Sequence, residues 1–87
     1  KTTAQNFGIL QNLEKFSILG KPLLVGLSRK SMIWKTLQVK AADALNGTTA
    51  LNMVALLKGA DILRVHDVRE AREGIKLFTS LQADVDN

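Results

Sequence analysis

The segment Leu63-Arg64-Val65-His66-Asp67-Val68 sets a guanidinium, an imidazole and a carboxylate into an otherwise apolar run. Strand alternation sends Leu63 and Val65 to one face and Ile62, Arg64 and His66 to the other. A buried arginine needs an anionic partner to offset its lost hydration. A neighbouring carboxylate meets that need, and so does a ligand phosphate at the C-terminal end of a parallel strand. On its own the segment favours the carboxylate, with His66 at a loop edge. A second polar cluster, Ser28-Arg29-Lys30-Ser31, closes the apolar run Leu23-Leu24-Val25-Gly26-Leu27. Its hydroxyls and ammonium can donate to ring acceptors or to an anion. Taken alone, it reads as a solvated turn.

The elements around these clusters follow from spacing. Thr2 or Thr3 caps a first helix in which Phe7, Leu10, Leu13 and Phe16 recur at helical intervals up to about Leu19. Gly20 ends it, and Pro22 opens the next segment. The run Leu23–Leu27 suits a strand buried on both faces. A short helix from Met32 to about Leu37 follows, then a loop, Gln38 to Asn46, with a helical turn near Ala41 to Leu45. Gly47-Thr48-Thr49 reads as the start of a helix, Ala50 to Lys58, that is apolar almost all round and so should be buried. Gly59 stops it, and Ile62 to His66 is the second strand. Asp67 with Glu70 spells a capping box for the last helix, and Asp67 is read as that cap rather than as a catalytic acid. The last helix carries the apolar stripe Val68, Ala71, Ile75, Phe78 and Leu81, and Asp84 to Asn87 reads as frayed. The order is α-β-α-β-α, which argues for two parallel strands joined by a right-handed crossover. Two strands cannot cover a helix that is apolar all round, so the chain is expected to be part of something larger.

Composition bounds the function classes. The 87 residues, 46% hydrophobic and 23% charged, allow one soluble domain or a piece of one. No apolar run has the length of a membrane span, and Lys1-Thr2-Thr3-Ala4-Gln5-Asn6 lacks the apolar core of a signal peptide. The chain has no cysteine, which removes disulfides, thiolate metal sites and thiol nucleophiles and fits the cytoplasm. The net charge of +4 suits an acidic ligand. Nucleic acid is not an expected partner, because the aromatics Phe7, Phe16, Trp34 and Phe78 are not interleaved with a basic patch.

Two segments together resemble one family. Pro22-Leu23-Leu24-Val25-Gly26-Leu27 followed by Ser28-Arg29-Lys30-Ser31-Met32-Ile33, and later Gly59-Ala60-Asp61-Ile62-Leu63-Arg64-Val65-His66-Asp67-Val68, look like the C-terminal part of dihydropteroate synthases, the folate-pathway enzymes with a TIM barrel. The Gly47-Thr48 pair between them and Lys1-Thr2-Thr3-Ala4-Gln5-Asn6-Phe7 upstream match as well. The resemblance covers nearly all of residues 1–87. It implies an α/β fold, the C-terminal portion of a (β/α)8 barrel from the sixth helix through the eighth strand-helix unit. The implied reaction joins p-aminobenzoate to a hydroxymethyl-dihydropterin diphosphate with release of diphosphate, by separation of the diphosphate before attack by the arylamine. By the same resemblance Lys30 and Arg64 hold the pterin, Ser28 and Lys30 meet the aminobenzoate, and Arg64 and His66 bind the diphosphate. Arg29, beside Lys30, is left open, with a structural ion pair as one destination. The resemblance further implies sulfonamides as ligands, a homodimer through the late helices, and Mg2+ for the complete enzyme. Its metal-binding Asn and its pterin-holding carboxylates lie on earlier strands, outside this chain.

Two positions depart from the family pattern. Trp34 stands where a glycine is usual, which puts close helix packing there in question. Ala44 stands where an arginine is usual, which removes a possible loop-fixing ion pair. Two other readings remain beside the synthase: a related pterin or folate methyl-transfer barrel, and a non-catalytic fragment that binds anions or mediates assembly. The Ser-Arg-Lys-Ser run favours the synthase over the methyltransferase.

Overall fold

The computed structural model describes residues 2–83, so the residues read as a frayed terminus, Asp84 to Asn87, lie outside it. Helix α1 spans Thr3–Gln11 and opens with a reciprocal cap. The Gln5 N–H donates to Thr2 Oγ1 at 3.1 Å, and the Thr2 N–H donates to Gln5 Oε1 at 2.9 Å. The expected continuation to Leu19 exists only as a 3-10 turn over Leu13–Leu19. Asn12 is the reason. Its side chain donates to the Gly8 carbonyl at 2.9 Å and so competes with the next helical turn. Gly20 then closes the 3-10 turn with φ 67°, a left-handed conformation that glycine adopts without penalty.

Strands β1 (Leu24–Val25) and β2 (Ile62–Leu63) pair in parallel, Leu24 opposite Ile62 and Val25 opposite Leu63. Both are shorter than the runs Leu23–Leu27 and Ile62–His66. The ladder is cut where β1 turns away, with the Lys30 N–H donating to the Leu27 carbonyl at 3.2 Å. Alternation in the second segment is as read, but the first strand is not buried on both faces as expected, because among the described residues nothing covers its Leu24 face. Leu23, Val25, Leu27, Leu63 and Val65 face the helices, and Leu27 is buried. Leu24 and Ile62 face the other way and remain 61% and 49% exposed.

Helix α2 (Ser31–Leu37), a 3-10 turn (Ala41–Asp43) and helix α3 (Leu45–Leu57) form the crossover. Helix α3 begins earlier than the Gly47-Thr48-Thr49 signal suggested. Thr48 is not a cap, because its hydroxyl donates back to the Ala44 carbonyl at 2.7 Å, inside the first turn. Gly47 marks a helix crossing, since a Cβ there would sit 2.5 Å from Ile33 Cγ2. Nor is α3 buried all round, as Ala50 and Leu57 are exposed. The core joins Leu10, Leu13, Leu27, Met32, Ile33, Ala44 and Ala55.

Helix α4 (Val68–Ala83) packs on α3 through small residues. Ala71 and Gly74 are buried, and a Cβ on Gly74 would lie 3.3 Å from Met53 Sδ. Of the stripe Val68, Ala71, Ile75, Phe78 and Leu81, Ala71 is buried and Phe78 half-buried, whereas Val68, Ile75 and Leu81 are exposed, because the close approach of α4 to α3 is centred on the small pair Ala71 and Gly74. Trp34 is half-buried against the edge of the core, with Lys35 Nζ 5.8 Å from its ring centroid, so the bulk falls beside the helix packing and not within it. Lys58, just past the end of α3, donates to the Gln11 carbonyl at 2.8 Å and pairs with Glu14 at 3.1 Å, which ties α3 to the end of α1.

Candidate functional site

One register connects the residues that carry chemistry. With Leu24 opposite Ile62, the even-numbered residues that follow each strand continue along the same exposed face. Leu24, Gly26, Ser28 and Lys30 from the first segment and Arg64 and His66 from the second line one open cleft of about 350 Å³. It lies at the C-terminal ends of both strands. All four residues singled out from the sequence, Ser28, Lys30, Arg64 and His66, meet there. A smaller cleft of about 270 Å³ adjoins it, shares Lys30, Leu24 and Gly26, and extends to Asn6 and Leu10 of α1.

Each side chain is positioned by its backbone. Arg64 follows β2, and its N–H donates to the Val25 carbonyl at 2.8 Å. Its aliphatic stem lies across Gly26, where a Cβ would come 3.6 Å from Arg64 Cβ. A side chain at Gly26 would thus meet the Arg64 stem at ordinary contact distance. Ser28 Oγ accepts the His66 N–H at 3.1 Å, taking over from the main-chain ladder after the strands end. Its own proton stays available for the cleft. Lys30 sits at the N-cap of α2 with extended backbone, φ −69° and ψ 155°, and is exposed. Among the described residues, no hydrogen bond or ion pair reaches the side chains of Lys30, Arg64 or His66.

Arg29 goes elsewhere. It occupies the left-handed region at φ 51°, which turns it away from its neighbours Ser28 and Lys30. Its Nε and Nη2 donate to the two carboxylate oxygens of Asp67 at 3.1 and 3.0 Å. Its Nη1 donates to the carbonyls of Ala41 and Ala42 at 3.1 and 2.7 Å. Its backbone N–H donates to Thr48 Oγ1 at 3.0 Å. The structural ion pair held open for Arg29 is thus present. Asp67 does stand at the position before α4, its backbone carbonyl accepting the Ala71 N–H at 3.1 Å, but its carboxylate is bonded to Arg29 and not to the first turn of the helix. That hydrogen bond holds the Asp67 carboxyl below its ordinary range and raises the Arg29 guanidinium further above its own. Arg29 also fixes the loop before α3. The buried Ala44 follows that loop, so the arginine usual at position 44 is not needed to hold it. Thr48 and Gly26 are the positions whose part in the site the sequence left unassigned.

Two cations, an imidazole and a hydroxyl, over a floor of Leu24 and Gly26, suit a flat ring carrying an anionic group. The comparisons with known proteins agree with this geometry. A sequence-family model described as pterin binding enzyme matches residues 1–66, and the chain belongs to that family. Within it, the chain is similar to dihydropteroate synthases. It is 38% identical to the dihydropteroate synthase of Escherichia coli K12 over 87 residues, which is 100% of this chain and 31% of that protein. The crystal structure of 7,8-dihydropteroate synthase from Vibrio fischeri ES114 superposes with a TM-score of 0.92 at 42% identity, covering 97% of this chain and 31% of that one. A Yersinia pestis dihydropteroate synthase bound to a sulfonamide drug superposes with a TM-score of 0.92 at 36% identity, covering 95% and 30%. The chain therefore spans about a third of the length of the relatives it matches, and its fold is a portion of their TIM barrel. No helix among the described residues is long and apolar enough to cross a membrane.

Proposed function

We propose that residues 1–87 form the C-terminal segment of a dihydropteroate synthase and supply the cationic side of its active site. The observation that carries this reading is the convergence of Ser28, Lys30, Arg64 and His66 on one cleft at the ends of two parallel strands. In the reaction the carbon–oxygen bond at the pterin methylene breaks, and its electron pair leaves with the diphosphate. The amine nitrogen of p-aminobenzoate forms the new carbon–nitrogen bond, and its proton passes to solvent. Negative charge develops on the departing oxygen, so Arg64 and the His66 imidazole N–H stabilise it where it appears. Arg64, flat and permanently charged, lies along the pterin ring over Gly26. Lys30 donates to the ring and holds a positive field near the aminobenzoate. The Ser28 hydroxyl meets that second substrate while its oxygen holds the His66 backbone.

Magnesium does not fit the donor set of this cleft, which offers cations and no carboxylate. A cytoplasmic location and a homodimer through the late helices complete the proposal. The exposed Ile75, Leu77 and Leu81 of α4 are apolar surface available for such a contact.

The test is a synthase assay on the full-length protein. Diphosphate release that requires both p-aminobenzoate and the pterin diphosphate supports the reading. Full-length, folded protein that releases none overturns it.

A further inference from the structure

Arg29 makes more hydrogen bonds than any group that faces the cleft, yet it does not line the cleft itself. Those bonds reach three separate pieces of chain. Asp67 directly follows His66, Ala41 and Ala42 precede α3, and Thr48 lies in the first turn of α3. Arg29 directly precedes Lys30. The fork of a guanidinium is the one cationic side chain that can serve both carboxylate oxygens and two carbonyls at once. It does so from a left-handed backbone that a residue other than glycine adopts at an energetic disadvantage, so the bonds hold a conformation that the chain would not choose by itself.

We propose that Arg29 is a positioning residue, which through Asp67 sets the distance between the Lys30 turn and the His66 turn and so shapes the anion-binding end of the cleft. The inference rests on the synthase reading for what the anion is, and on the geometry for how its site is held. Ser28 and His66 are joined one step above by a single hydrogen bond, and the Arg29–Asp67 pair is the second rung that keeps both turns from splaying. Loss of that rung leaves Lys30 and His66 intact and misplaces them.

The experiment compares Asp67→Asn and Arg29→Lys with wild type in the full-length protein. It reads kcat/KM, the affinity for inorganic diphosphate by calorimetry, and the melting temperature. Asp67→Asn keeps the shape and removes the charge, and Arg29→Lys keeps the charge and removes the fork. Each is expected to weaken diphosphate binding and kcat/KM by about 10- to 100-fold in protein that still melts cooperatively. The exchange Arg29→Asp with Asp67→Arg is expected to recover little, because the carbonyls of Ala41 and Ala42 then lose their donor. Glu14→Gln breaks an ion pair of similar length remote from the cleft and is expected to leave both readouts unchanged. Diphosphate affinity and kcat/KM within twofold of wild type in either single variant overturn the proposal. So does an equal loss in Glu14→Gln. Should Arg29→Lys not fold, Asp67→Asn alone decides. Wild-type protein that binds diphosphate without turnover sinks the synthase reading and leaves the clamp to be judged on affinity. Wild-type protein that does neither overturns both.

Discussion

Neighbouring residues at the ends of the two strands have opposite fates. Ser28, Lys30, Arg64 and His66 point to the open face, and all four side chains have donor capacity that the described residues do not use. Arg29 and Asp67, one position away, point to the helix side, where every oxygen of the carboxylate and each nitrogen of the guanidinium is engaged. On the β1 side the left-handed backbone of Arg29 makes this division, turning its side chain away from those of Ser28 and Lys30 in the turn that follows the strand. The helix side spends its polar groups on the protein and gains rigidity. The open face keeps its groups for a ligand and gains no stability from them. Two residues of like chemistry, Arg29 and Arg64, thus do different work according to the side they are turned to.

The largest test of this contrast is Arg64→Ala in the full-length protein. Removing one donor at the site of developing charge lowers kcat by about 10²–10³. The side chain is exposed, so the urea midpoint should hardly move. A variant that loses its fold along with its activity would break the contrast, because Arg64 would then belong to the framework.

Gly47→Ala probes the framework from the other direction. The added methyl meets Ile33 Cγ2 at 2.5 Å, and overpacking of this kind costs about 1–3 kcal/mol. Alanine returns about 1 kcal/mol through helix propensity. Equilibrium unfolding in urea should show a net loss of up to about 2 kcal/mol. An unchanged midpoint would mean that α2 and α3 shift freely at their crossing.

Smaller still is Asn52→Leu. Asn52 is 5% exposed, and its Oδ1 is the buried side-chain atom left without a partner among the described residues. An unpaired buried acceptor is unfavourable, and an apolar side chain of similar size should raise stability by up to about 1 kcal/mol. A loss on the same unfolding curve would show that the amide makes a bond on the framework side.

The finest effect is in acid. The Arg29 hydrogen bond holds the Asp67 carboxyl below its ordinary 3.8, so the unfolded chain takes up its proton first as pH falls. The stability this pair provides is therefore complete above that value and is lost as pH drops through the lower folded-state value. Glu14, held down by the Lys58 hydrogen bond, has the same sign. Melting followed from about pH 5 down to about pH 2 should show Asp67→Asn with a shallower slope than wild type. Identical slopes would show that the framework pair is no better made than a solvated one.

Much of this was legible in the residues. The α-β-α-β-α order, the Thr2 cap, the Gly20 stop and the alternation of Leu63, Arg64, Val65 and His66 all depend on neighbours in sequence. What failed to be legible depends on distant partners. The Asp67–Glu70 spacing spells a capping box, but a guanidinium 38 residues away takes the carboxylate first. Gly47 reads as a helix start, and only the proximity of Ile33 shows that it is a crossing. Gly74 has no side chain for a hydrophobic stripe to register, yet with Ala71 of that stripe it forms the buried seam of α4. Arg29 carries no local signal for its left-handed backbone. The convergence of the site residues came from family resemblance in the sequence and from the parallel register in the structure.

That register has a consequence for how the chain can change in length. Leu23 with Asp61, Ser28 with His66 and Arg29 with Asp67 are all joined across the same interval of 38 residues, as are the paired strand residues between them. A single insertion or deletion inside 23–29 or 61–67 would place every later rung opposite the wrong partner and exchange the two faces beyond it. The connection at 38–40, outside the helices and free of these rungs, is where inherited variation in length can accumulate without disturbing either face.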